Sequence, residues 1–376
     1  MAVHFRASKR FKDLFINALV PWELFTTQPN LGHETIADLL ACGAAREAVT
    51  TNYDGLVEMS AQTLGERLFR PIADVEDLGF ITPHRPFLKV HGCVRRALSH
   101  TIWCKEQFED EPLKTRALRF RNWLTANLVG RDLLVVGFWS DWKYLSEVFA
   151  DSLPALGECA VIVVDPSGAA DLQVKAPKLW QWTHDASIRF VHEQESGADF
   201  LGQFREHFSS VVIKNLLNAA GPVYNQLFGE APHGRGRSFV GWSASSFYAL
   251  RRDLTGKPRD EAVRESQPQP RFHNHIAIHE RLMDRGATYD SGMYIFGGER
   301  LRLVSGHGEL LSRVKARYDN EPPLPIPNHK VVCIGAINDV GAVNIVRPGA
   351  IPMWRVSRSI LNGIWMSSAG VSTIGR

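Results

Sequence analysis

The sequence predicts an α/β fold: a doubly wound parallel sheet followed by a smaller mixed or β-rich domain. Two continuous apolar runs, Leu133-Leu134-Val135-Val136 and Ala160-Val161-Ile162-Val163-Val164, have the character of strands buried on both faces, as a parallel sheet covered by helices requires. Stretches with apolar residues at helical spacing separate the strand-like runs, and this alternation is the mark of βαβ units. Beyond about residue 212 the alternation stops, and shorter apolar runs bounded by glycine take over.

In chain order, Phe11, Leu14, Phe15, Ala18 and Leu19 share one face of an amphipathic helix over residues 9–19, stopped by Pro21. Ile36, Leu39 and Leu40 mark a second helix that ends at Gly43. A first strand follows over 47–51, after which Leu56, Val57, Ala61 and Leu64 recur at helical spacing. Phe87-Leu88-Lys89-Val90 reads as a second short strand, Thr101 to Lys105 as an extended piece, and Leu113 to Leu128 as a helix. Strands at 132–137 and from Ala160 come next, then a weaker one from Ile188 to Val191. A closing helix turns Leu201, Phe204, Phe208 and Val211 inward, which gives a first domain over 1–211. Residues 212–272 read as a linker and loop-rich segment, because the stretch from Gly229 to Arg271 is rich in Gly, Pro, Arg and Ser. Residues 273–376 form the mixed or β-rich domain, with strands around Tyr294, Leu301 and Val331 and a stiff connector at Pro322, Pro323, Pro325 and Pro327.

With 376 residues, 44% hydrophobic and 10% aromatic, the chain has the composition of a soluble globular protein large enough for two domains. Its formal charge of +3, from 43 basic and 40 acidic residues, gives no bulk reason to invoke nucleic acid. An anionic ligand has to be drawn by a local site. No apolar run approaches the length of a membrane span. The five cysteines, Cys42, Cys93, Cys104, Cys159 and Cys333, are odd in number and show no short paired spacing, which fits reduced thiols in a cytoplasm.

Two turns carry the candidate chemistry. Thr50-Thr51-Asn52-Tyr53-Asp54-Gly55-Leu56 sets Asn52 and Asp54 between a strand and a helix, and Lys89-Val90-His91-Gly92 sets an imidazole just past the second strand. The carboxyl ends of parallel strands form the rim where open α/β sheets bind ligands. An amide both donates and accepts hydrogen bonds, and an imidazole exchanges a proton near neutrality.

These two motifs, followed by Leu133-Leu134-Val135-Val136-Gly137-Phe138-Trp139-Ser140-Asp141, resemble the sirtuin superfamily over roughly the first half of the chain, and in particular its bacterial defence-associated, zinc-less NAD hydrolases. The resemblance implies a Rossmann-like domain that takes NAD as its substrate, with Asn52 and His91 as the catalytic pair. It further implies cleavage of the nicotinamide–ribose bond to leave ADP-ribose, as an effector of anti-phage defence. Nicotinamide is a cationic leaving group, so a site helps by orienting ribose hydroxyls and stabilising an oxocarbenium-like ribose. Asn52 suits the ribose and the attacking water, and His91 suits proton uptake. Asp54 either stabilises the ribose or caps the following helix. Gly137 and Ser140 match the family's third NAD-contacting region, and serve equally as a strand end and a helix cap. Asp165 either holds the adenosine ribose or makes a turn with Pro166.

The chain departs from the family in two ways. No Gly-Ala-Gly-x-Ser loop precedes Thr50, where Gly32 and Gly43 stand widely apart; either residues upstream are missing or the phosphate cradle has been lost. Only Cys93 and Cys104 follow His91 closely, without a Cys-x-x-Cys pair, so no zinc is expected. The alternatives are an NAD-dependent protein deacylase and a non-catalytic nucleotide-binding or interaction module. A homo-oligomer and a protein activator are partners left open. Three further features read as structural: His273, His275 and His279 lack a zincin-like carboxylate, Trp139, Trp142, Trp180 and Trp182 read as core, and Arg235, Arg237, Arg251 and Arg252 read as a solvated loop among acidic neighbours.

Overall fold

A computed structural model of the chain describes residues 13–66, 68–79, 85–104, 107, 110–128, 130–137, 160–184, 189–257, 269–319, 329–337, 357–358 and 363–366. After a π-helical turn at Phe15–Leu19 and a 3-10 turn at Trp22–Thr26, the helix α1 (Leu31–Cys42) opens on a reciprocal cap: the Asn30 side chain accepts from His33 N–H, and His33 Nδ1 accepts from Asn30 N–H. It ends at Gly43 in the left-handed region, where the missing Cβ removes the steric cost. Strand β1 (Ala48–Thr50) leads to α2 (Leu56–Thr63), and β2 (Phe87–Lys89) leads to α3 (Glu111–Leu128). β1 and β2 are parallel, with Thr50 opposite Lys89, so both chains leave this sheet at the same rim.

A second parallel sheet has the order β3 (Leu133–Val136), β4 (Ala160–Val164), β5 (Arg189–Glu193). Helices α4 (Ala169–Lys175) and α5 (Pro177–Thr183) connect its last two strands and cover Val135, Val161 and Val163 through Leu172 and Leu179. The continuous apolar run of β4 is buried on both faces as expected, whereas β3 buries only Val135 and leaves Leu133, Leu134 and Val136 half-buried. The closing helix, α6 (Gly197–Phe228), runs on well past residue 211. Its buried residues include Leu201, Arg205, Ser209, Ile213, Leu216 and Leu217, while Phe204 and Val211 face outward. The inward face predicted from Phe204 and Val211 is thus corrected: the inner side is set by Leu201, Ile213, Leu216 and Leu217, with small residues where α1 packs closely, Gly32 against Ala198 and Gly202 against Leu31.

The stretch expected as loop contains α7 (Ala244–Thr255), capped by Ser243 and closed by Gly256. After it come α8 (His273–Asp284), the antiparallel strands β6 (Thr288–Asp290), β7 (Met293–Phe296) and β8 (Glu299–Ser305), then α9 (Leu311–Asp319) and β9 (His329–Ile334) parallel to β8. β10 (Ser357–Arg358) and β11 (Gly363–Met366) complete a mixed sheet of order β10-β11-β9-β8-β7-β6. One face of this sheet packs on α6, α7 and α8 through Leu217, Phe247, Leu250, Ile276, Tyr294 and Leu303. The other face packs on α9 through Val304, Val314 and Val331. The architecture is α/β, with parallel sheets in the first half and a separate mixed sheet in the second.

Helix α7 belongs to two cores. Phe247, Leu250 and Leu254 enter the C-terminal core, whereas Ala244 and Tyr248 pack with Ala37, Leu40, Val57, Ala61 and Phe87. Two buried polar contacts follow the second route: Tyr248 donates to Glu66 at 2.8 Å, and Arg251 pairs with Asp38 of α1. Arg252 and Arg302 both reach Asp253, and although burial pushes that carboxyl up, the two guanidinium groups hold it below its ordinary value. The solvated-loop reading of Arg251 and Arg252 is corrected accordingly: Arg251 meets Asp38 of α1, and Arg252 is buried with its neighbour Asp253, which Arg302 also reaches. The proline connector at 322–327 and Trp139 and Trp142 lie outside the described residues.

Candidate functional site

The site grows from the β1–β2 pair. Because the strands are parallel and in register at their ends, the turn after β1 and the turn after β2 emerge side by side. Val90 N–H donates to Thr50 C=O at 3.1 Å, and Val94 N–H donates to Tyr53 C=O at 2.8 Å. Asn52, Asp54 and His91 are thereby gathered at one rim. Asn52 is exposed, and its own backbone N–H donates to Thr50 Oγ1 at 3.1 Å. Asp54 Oδ1 accepts from Leu56 N–H at 3.1 Å, a local bond that starts α2.

His91 is only 5% exposed. Burial, helped by the nearby Arg116 guanidinium and opposed by a hydrogen bond with the Thr51 backbone, lowers its pKa to about 4. The imidazole is therefore neutral throughout the physiological range. Arg116 is held in turn by His100 C=O at 2.7 Å and Asp74 at 3.3 Å. Gly92, next to His91, has φ +95°, and a Cβ there would lie 3.2 Å from the Thr101 Cα. Only glycine turns the chain this tightly after the imidazole.

An aromatic wall stands on one side. Tyr53 stacks on Trp103 with centroids 4.5 Å apart and 13° between planes, and meets the edges of Trp22 and Phe25. Its hydroxyl donates to Ile102 C=O, and burial pushes its pKa up. The wall fixes Tyr53, and with it the backbone between Asn52 and Asp54. Trp22 and Phe25 come from the segment before α1, whose Phe25 C=O accepts from Gly55 N–H at 3.4 Å.

Beneath the turn lies a buried ion pair. Lys89 Nζ reaches Glu58 Oε1 at 2.9 Å, and both side chains are nearly inaccessible. His33, at the start of α1, feels Asp54, Lys89 and Glu58; burial carries its pKa below the ordinary value against the pull of Asp54. Its Nδ1 is occupied by the Asn30 cap, which leaves Nε2 as the nitrogen bearing the proton in the neutral ring. Sequence reasoning did not single out His33, Lys89 or Glu58. The available signals were Asn30 three residues ahead of His33, in capping-box spacing, and a lysine inside the apolar run Phe87-Leu88-Lys89-Val90.

Gly137 and Asp165 sit at the carboxyl ends of β3 and β4, in the other parallel sheet. Gly137 has φ +60° and donates to Val164 C=O at 2.9 Å. Asp165 is buried, and its Oδ1 accepts from Ser167 N–H at 2.8 Å, the local turn bond anticipated beside its ribose reading. Ser140 lies outside the described residues. The start of α6 ties the two rims together: a Cβ on Gly197 would meet Val136 at the end of β3, while Ala198 packs on Gly32 at the start of α1.

Residues 46–184 match the family model of the SIR2-like domain. This SIR2-like segment runs from β1 to α5, so it contains both strand-end turns, the β1–β2 sheet, and the strands β3 and β4 of the second parallel sheet, but not β5. The match supports a place in the sirtuin-like superfamily and an NAD-related function. No curated protein matches the chain. Among the described residues, no group of three or more His, Cys, Asp or Glu side chains is placed to hold a metal ion, and no helix is long and apolar enough to cross a membrane. His275 and His279 are buried on α8, where they bond Ser305 Oγ at 2.9 Å and Tyr294 Oη at 2.7 Å.

Proposed function

We propose that the SIR2-like segment cleaves NAD at the nicotinamide–ribose bond, with water as acceptor. The observation that carries this reading is the pairing of an exposed amide, Asn52, with a buried neutral imidazole, His91, on adjacent parallel strand ends. Asn52 is the group for the ribose and the incoming water. The C–N bond breaks as the oxocarbenium-like ribose forms, nicotinamide departs neutral, and the water oxygen bonds to the anomeric carbon. The proton released from that water passes to His91. A weak base suffices for this step, because a water that has bonded to such a carbon is a strong acid.

The donor set supports NAD as ligand. Lys89 and Glu58 neutralise each other below the turn, so the groups presented to a polyol are an amide and a neutral ring. Arg95 lies exposed against Gly55 and brings a cation to the same rim, suited to a diphosphate. The role in bacterial defence rests on the motif resemblance. A nucleotide-binding module without turnover is the second reading, favoured by the commitment of both Asp54 and Asp165 to backbone amides.

The deciding experiment measures nicotinamide release by the purified chain beside Asn52→Ala and His91→Ala, with folding checked by circular dichroism. Both folded variants are expected to lose about 10²–10⁴-fold in rate. An inactive wild type that binds NAD favours the module, and undiminished turnover in either folded variant refutes the assignment of that residue.

A further inference from the structure

A lysine within a strand whose three residues are all buried calls for an explanation, since an ammonium leaves water at high cost unless its donors are met. Lys89 has three N–H donors, and three acceptors surround it: the Asp54 carbonyl, Glu58 Oε1 at 2.9 Å and Cys93 Sγ at 3.7 Å. Each belongs to a different part of the candidate site. Asp54 is in the turn that carries Asn52, Glu58 is on the helix that leaves this turn, and Cys93 lies two residues past His91. Cys93 also contacts Glu58 at 3.5 Å and receives the Arg95 N–H at 3.4 Å, so the cluster closes on itself.

The main chain shows why this matters for Asn52. The residue is exposed at the tip of its turn, and the turn is fixed from below by the Asp54 carbonyl and from the side by Val94 N–H on Tyr53 C=O. Lys89 itself stands two residues before His91 on the same strand end. One side chain therefore references the amide and the imidazole to a common point.

We infer that Lys89, paired with Glu58, is a positioning residue that keeps the Asn52 turn in register with His91. This rests on the reading of Asn52 and His91 as the reacting pair. Removing the charge alone strands Glu58, so the informative variant is the double substitution Lys89→Met with Glu58→Gln, which leaves no buried charge but frees the Asp54 carbonyl. It is expected to unfold near the wild-type temperature, to bind NAD almost as wild type, and to lose about 10–100-fold in kcat, since small misplacements of reacting groups carry such penalties. The Leu56 and Val94 amides, read by hydrogen exchange, are expected to exchange about tenfold faster.

Lys89→Arg provides a second test, because it keeps the charge but presents a planar fork to acceptors arranged around a tetrahedral ammonium. It is expected to fold and still lose turnover and amide protection. Wild-type kcat and wild-type exchange in either variant overturn the inference. If the wild-type chain does not turn NAD over, the NAD-cleavage reading fails by itself, and exchange at Leu56 and Val94 still decides: faster exchange upholds the register role, and unchanged exchange ends it.

Discussion

The clearest prediction concerns His91→Gln and acid. His91 titrates near 4 in the folded chain against an ordinary value of 6.5, so between those values the unfolded chain binds a proton that the folded chain refuses. Stability from this group is whole above pH 6.5 and drains away as pH falls toward 4. Working the linkage from the two values, the loss between pH 7 and pH 5 is about 2 kcal/mol. Gln keeps a polar group that can bond the Thr51 backbone but has nothing to titrate. Urea unfolding of wild type and variant at both pH values isolates the effect: the wild type is expected to lose about 2 kcal/mol more than the variant on going to pH 5. His275 and His279, lowered by burial to about 3 and about 4, contribute equally to both proteins and cancel. An equal loss in wild type and variant, or a His91 resonance titrating near 6.5, would show that the imidazole is not held neutral, and the proton-acceptor role would lose its basis. The acid limb of NAD turnover is expected near pH 4 for the same reason.

Two stability predictions follow from the C-terminal half. Gly256→Ala places a Cβ on a residue with φ +71° and 2.6 Å from the Ser305 carbonyl oxygen; a loss of at least ~1–2 kcal/mol is expected by thermal unfolding, and an unchanged midpoint would contradict the cap geometry. Arg251→Met strands the buried Asp38 carboxylate and is expected to cost about 3–5 kcal/mol, with most of it recovered when Asp38→Asn is added; a double variant as unstable as the single one would mean that packing, not charge, governs the contact.

The legible parts of this fold are those decided locally. The Ala160–Val164 run and the helix ending at Gly43 announce themselves because burial on both faces and a left-handed cap leave direct marks on composition. The pairing of Asn52 with His91 was readable because each follows a short apolar strand, and parallel pairing delivers both ends to one rim. Helix α7 was hidden because Arg251 and Asp253 look solvated when their partners, Asp38 and Arg302, are far away in the chain. The inner face of α6 was misread for another reason: close approach to α1 places Ala198 and Gly202 inside, while Phe204 and Val211 lie outside. Lys89 escaped notice because nothing in one strand reveals that the acceptors of its three donors lie on three other segments.

Helix α7 also orders events in time. Ala244 and Tyr248 complete the core made by α1, α2 and β2, and Arg251 supplies the counter-charge for Asp38. A ribosome that has delivered every residue of the SIR2-like segment has still not delivered those three. Until α7 emerges, the nascent site rests on an open apolar surface with an unmatched carboxylate. The platform beneath Asn52 and His91 is therefore complete only with α7, which lies beyond the SIR2-like segment, in place.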